Sequence, residues 1–219
     1  MAKPFNSFLH LGVLLLAASA FAAGGESPAT ITFSLDFPQS NPEHYEIAIP
    51  TSGRATYVSN GALGNSPDPD TTPFEFRISD ATRQQLFELA KKAKYFSGRL
   101  DSGNSNIANM GKKTLAYKDD SHNTSATYNF STDPAVQQIT SILQNLSTVL
   151  EYGRRLTWFH KYQKLALDQD LKQMEERQRE KNFGDVQAIV PILKQIADDQ
   201  SVMRISRARA LRLLVSTGN

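Results

Sequence analysis

The sequence predicts an α+β protein: an antiparallel five- or six-stranded sheet with helices packed on one face, followed by a C-terminal helical extension. Three observations carry that expectation. Between residues 30 and 130, short stretches alternate apolar and polar residues with period two, as strands with one buried face do. Beyond Asp133 the apolar spacing changes to the i, i+3, i+4 pattern of helices. The change falls at Asp133-Pro134. There an aspartate caps the free amides of a first turn, and a proline costs nothing at the first helical position. The organisation this implies is a signal segment at 1–22, a sheet domain over 28–152 and a helical extension over 153–219.

The N-terminal segment reads as an export signal. Lys3 supplies a short positive region, Phe8 to Ala18 is apolar, and small residues follow at Ala18, Ala20 and Ala22. That pattern suits cleavage after Ala22, with Ala20 the alternative. The apolar run is shorter than the ~20 residues a membrane span needs, so no transmembrane span is expected after cleavage. The chain has no cysteine, which rules out disulfides and thiol chemistry and leaves the core to hold an exported protein together.

Taken in order, Gly24 to Ala29 reads as a tether. Thr30 to Phe37 is the first strand, with Ile31, Phe33, Leu35 and Phe37 inward. His44 to Ile49 and Arg54 to Ser59 form a hairpin about Pro50-Thr51-Ser52-Gly53. Leu63 to Thr72, rich in Gly, Pro and Asp, is a loop, and Pro73 to Ile78 a further strand. Ser79-Asp80 caps a helix over Ala81 to Tyr95 with Leu86, Leu89, Ala90 and Ala93 as its apolar stripe. Lys112 to Lys118 and Thr124 to Phe130 complete the sheet.

Asp133 to Lys181 then reads as one helical stretch. Val136, Ile139, Leu143, Leu146 and Leu150 lie on one stripe, and Asn182-Phe183-Gly184 ends it. Unbroken, it would span roughly 73 Å, more than a domain of this size is wide. It is therefore expected to break near Gly153-Arg154-Arg155, or to run off the domain and present the last two helices. Those are Asp185 to Ala197, where Pro191 should either set off the first turn as a separate piece or kink the helix, and Val202 to Val215, capped by Ser201 with Ile205, Ala208, Leu211, Leu214 and Val215 as its apolar set.

Tyr45-x-Ile47-x-Ile49, Gly53, Tyr57, a glycine-containing loop, a strand ending at Ile78-Ser79 and a helix closing on Tyr95-Phe96 resemble a bacterial secreted domain of unknown function. The resemblance spans roughly residues 45–96. It implies a small antiparallel sheet with a helix across it in an envelope protein, and it carries no catalytic residues across. Members of that family often have a cysteine-containing segment before the first tyrosine, which this chain lacks.

The sequence nominates no chemistry. His44, His122 and His160 have no second histidine at ligand spacing. Asp101-Ser102-Gly103-Asn104-Ser105-Asn106 lacks the order and the distal glutamate of a calcium loop. No serine sits in a Gly-x-Ser-x-Gly elbow, and Gly61-Ala62-Leu63-Gly64 is too short, and without the lysine, to cradle phosphate. The expectation is a non-enzymatic module with no catalytic, cofactor-binding or metal site, exported to the periplasm or the medium. Its alternatives are an inhibitor or chaperone-like partner of an exported enzyme, and an enzyme whose site assembles only in space.

Charge and aromatics mark where a protein partner would bind. Residues 24–133 carry 13 acids against 10 bases, and residues 134–219 carry 9 against 13. The last helix holds Arg204, Arg207, Arg209 and Arg212, and Trp158 pairs with Tyr162 at i, i+4. These six are the candidate interaction residues, for an acidic protein partner or anionic headgroups; an export signal argues against nucleic acid.

Overall fold

The computed structural model describes residues 28–64, 70–180 and 183–216. The expected signal segment, most of the tether, residues 65–69 of the expected loop, and Lys181-Asn182 at the expected helix end lie outside the described residues.

The period-two stretches form a six-stranded antiparallel sheet. Its strands are β1 (Thr30–Asp36), β2 (His44–Pro50), β3 (Ala55–Ser59), β4 (Phe74–Phe76), β5 (Lys112–Lys118) and β6 (Asn123–Tyr128), in the order β4-β3-β2-β1-β5-β6. The register places like with like. Tyr57, Ile47, Phe33, Leu115 and Ala126 form one cross-strand row facing the helices. The neighbouring row, Thr56, Ala48, Thr32, Ala116 and Ser125, faces the other way. Pairing like residues across strands confines the core to one side of the sheet.

The helices are α1 (Asp80–Lys92), α2 (Pro134–Tyr162), α3 (Leu167–Arg179), α4 (Val190–Asp198) and α5 (Arg204–Val215). The Ser79 hydroxyl caps α1 by accepting the Thr82 amide at 3.2 Å. α1 stops short of Tyr95, because Lys94, Tyr95 and Phe96 take positive φ of 51°, 54° and 61°. Left-handed backbone costs about 1–2 kcal/mol per non-glycine residue. Burying Phe96 and stacking Tyr95 on His122, ring centroids 4.0 Å apart, oppose that cost.

Asp133 caps α2 as expected, accepting the Ala135 amide at 2.7 Å. The break does not come at Gly153. α2 runs through it for 29 residues, and the chain turns at Gln163 (φ −144°, ψ 61°). Gly153 is instead a point of close packing: a Cβ there would stand 2.4 Å from Ile189 Cγ2. Nor does the helix run off the domain. α3 returns antiparallel along α2, with Arg155 paired to Asp170 at 2.8 Å and Tyr152 donating to Gln173 at 3.2 Å. That turn brings Leu167, Leu171 and Met174 into the core.

Pro191 separates a 3-10 turn, Val186–Ile189, from α4, as the pattern suggested. α5 begins at Arg204 with Met203 before it, so Ser201 is not its cap. The Ser201 amide instead donates to Asp199 at 2.8 Å. One apolar core runs from Ala29 to Leu213, joining the sheet, α1 and the helical layer.

Candidate interaction surface

Two hydrogen-bonded turns build one end of the helical layer. His160 Nε2 lies 2.9 Å from Asp199, and the Lys164 ammonium donates to Asp199 and Ser201 at 2.6 and 2.5 Å. The α2–α3 turn and the α4–α5 turn therefore meet. Hydrogen bonds from Lys164, Ser201 and His160 hold the Asp199 carboxyl well below the usual carboxylate range.

The candidate aromatics lie on the last turns of α2. Trp158 and Tyr162 pack together at 5.4 Å between centroids, as their spacing requires. Trp158 is half-buried because its ring covers Gly64, where a Cβ would meet it at 2.4 Å. Tyr162 stays 59% exposed beneath the Lys161 ammonium, 4.9 Å above its ring. Tyr162 thus belongs to the open end, whereas Trp158 anchors the loop after β3.

The four arginines divide by role. Arg209 bridges Asp168 and Glu175, and Arg212 donates to Glu175 at 2.7 Å, so these two fasten α5 to α3. Partial burial opposes ionisation of Glu175, but hydrogen bonds from Arg212 and Arg209 outweigh it and hold the carboxyl below its ordinary value. Arg207 donates to Gln200 at 2.7 Å, while its buried Nε has no partner among the described residues. Arg204 is exposed.

α5 is the element the sequence misplaced. Its expected apolar set includes Ile205, Leu211 and Val215, and these are 51%, 52% and 73% exposed. What α5 buries is Ser206, Ala210 and Leu213. The Ser206 hydroxyl is wholly buried and has no partner among the described residues. The acids of α3 set this orientation: with Arg209 turned onto Asp168 and Glu175, the Leu211–Val215 side must face away from the core. Leu165, which helical spacing puts on the apolar stripe of α2, is instead 77% exposed in the α2–α3 turn, and with Met203, before α5, it extends the apolar surface. Periodicity shows that a stripe exists, not which stripe faces the core.

A second polar cluster lies under α2. Arg154 is 4% exposed; it donates to Glu151 at 3.0 Å, to the Ser59 hydroxyl, and to the Gly61 and Asp70 carbonyls. Glu151 also accepts from Tyr57 at 2.8 Å and Ser59 at 2.6 Å. Burial and the adjacent Glu151 carboxylate push the Tyr57 hydroxyl far above its usual value. These contacts hold the loop after β3 against α2. Sequence spacing could not join Tyr57 to Glu151, since they are distant along the chain.

No protein-family model matches this chain, and a search of curated proteins finds no match.

Proposed function

We propose that this chain is an exported, non-enzymatic binding module that docks a protein partner through the outward face of α5 and the adjoining end of the helical layer. The observation that carries this reading is the inverted amphipathicity of α5. A helix that buries a serine without a partner among the described residues, while exposing Ile205, Leu211 and Val215, gains less from its own domain than a second surface would give it. Arg204 and Arg207 rim that face, so the partner it suits is acidic at its edge and apolar at its centre. Export rests on the N-terminal pattern of Lys3, the apolar run and Ala20-Phe21-Ala22; mass measurement of the secreted chain should give a mature N-terminus at Ala23 or Phe21.

The docking test is site-specific photocrosslinking in the producing cell. A crosslinker at position 211 should capture one discrete partner, one at position 114 on the open sheet face should capture none, and Arg204→Glu should diminish the adduct. Equal capture from both positions, or none from either, would sink the reading.

A further inference from the structure

Two polar features away from α5 are satisfied by their own surroundings. The Lys113 ammonium is buried against the Met110, Gly111 and Asn129 carbonyls, so its three protons are all engaged. The Asp119–His122 pair sits in the β5–β6 turn, where Asp119 also accepts the Ser121 amide and the imidazole stacks on Tyr95, so both are held by the turn's own contacts.

The third feature is a cleft of about 420 Å³ between the β1–β2 loop and the α2–α3 hairpin. Its apolar lining is Leu35, Phe37 and Tyr45. Its polar side holds Arg155 and Arg177, together with the Glu151 carboxylate, which is taken up by Tyr57, Ser59 and Arg154. Arg155 is held by two different contacts. Its Nε donates to Asp170 at 2.8 Å, and its guanidinium carbon lies 4.4 Å from the centre of the Tyr152 ring. The Asp170 bond fixes the in-plane direction of the guanidinium and the ring fixes its tilt. The two terminal nitrogens have no acceptor among the described residues. They form the half of the guanidinium fork that pairs bidentately with a carboxylate or phosphate. Arg177, exposed at the same cleft, likewise has no ion-pair partner among the described residues. The charges around the cleft pair off: Arg155 with Asp170, Arg154 with Glu151. Arg177 is left over, so the cleft is positive.

We propose that this cleft is an oxyanion site, taking the carboxylate or phosphate group of a small ligand on Arg155 and Arg177 while the ligand's apolar body rests on Leu35, Phe37 and Tyr45. The orientation of Arg155 is already set in the unliganded protein, so binding does not have to order that side chain. The site is separate from the α5 face and does not depend on it.

Calorimetric titration of the full chain with benzoate, inorganic phosphate and benzamidine at matched ionic strength tests this. Benzoate or phosphate should saturate in a roughly millimolar range, and benzamidine, of the same shape as benzoate but positive, should not. Which anion binds tighter tells whether the natural group is a carboxylate on an apolar body or a phosphate. Arg155→Lys keeps the charge and loses the fork, and should weaken binding about tenfold. Arg177→Gln, at an exposed position compatible with folding, should weaken it several-fold. Leu211→Asp, on the proposed docking face, should leave it unchanged, so the two readings can fail separately. No saturation by either anion, equal binding of benzamidine, or unchanged affinity in Arg177→Gln would overturn the proposal.

Discussion

Arg154 and Glu151 share one carboxylate–guanidinium contact inside the protein, and the cost of disturbing it is asymmetric. Removing one partner leaves a buried charge without its counterion, whereas an apolar replacement of both removes the problem. Glu151→Ala strips acceptors from Arg154, Tyr57 and Ser59 at once and should destabilise the chain by about 3–5 kcal/mol in urea unfolding. Adding Arg154→Met to it should recover part of the loss. Gly153 gives a second residue-scale prediction. Alanine is the better helix former by about 1 kcal/mol, so helix propensity alone predicts that Gly153→Ala stabilises. The contact with Ile189 predicts the reverse, a net loss of about 1–3 kcal/mol from overpacking. Ile189→Ala in the same chain should relieve the clash, so the double mutant should be more stable than the two single effects add up to.

At the scale of elements, the sequence was informative where local chemistry decides the outcome and silent where distant contacts do. Strand alternation, the Asp133-Pro134 start and the Pro191 division all survive in the structure because each acts within a few residues. The turn at Gln163 has no glycine or proline to announce it; the chain reverses there because Leu167, Leu171 and Met174 reach the core only on a returning helix. The left-handed run at Lys94–Phe96 is similarly unannounced, since no glycine marks it. The candidate site was half legible. Tyr162 and Arg204, named from the sequence, are exposed, but the burial of Arg209 depends on acids in another helix. Glu175 in α3, with Asp199 in the α4–α5 turn, also gives α5 a pH dependence. Glu175 and Asp199 both have folded-state values depressed below the ordinary carboxylate range of about 3.9–4.3. A depressed folded value gives stability that is fully present above the unfolded value and lost as pH falls through the folded one. The protection factors of the α5 amides, taken against the intrinsic exchange rate at each pH, should therefore fall as pH drops below about 4, before those of the sheet amides respond. Glu175→Gln should remove much of that pH response and lower the protection of α5 already at neutral pH.

Across the whole molecule, the core passes without interruption from the sheet to α5. A shared core makes the layers fold together. Urea unfolding followed by Trp158 fluorescence, which reports on the loop after β3 and the end of α2, should coincide with the transition followed by far-ultraviolet circular dichroism. An earlier fluorescence transition would mean that the helical layer opens by itself. The single glycine of α2 bears on how those layers are aligned. Its missing side chain leaves one notch on an otherwise studded cylinder, and Ile189 sits in it. Shifting the C-terminal helices along α2 by one turn would set Ile189 against Val149 or Thr157 instead. The notch therefore indexes the axial position of everything after it, and α5, which makes no use of the glycine itself, presents its outward face at a fixed place because of it.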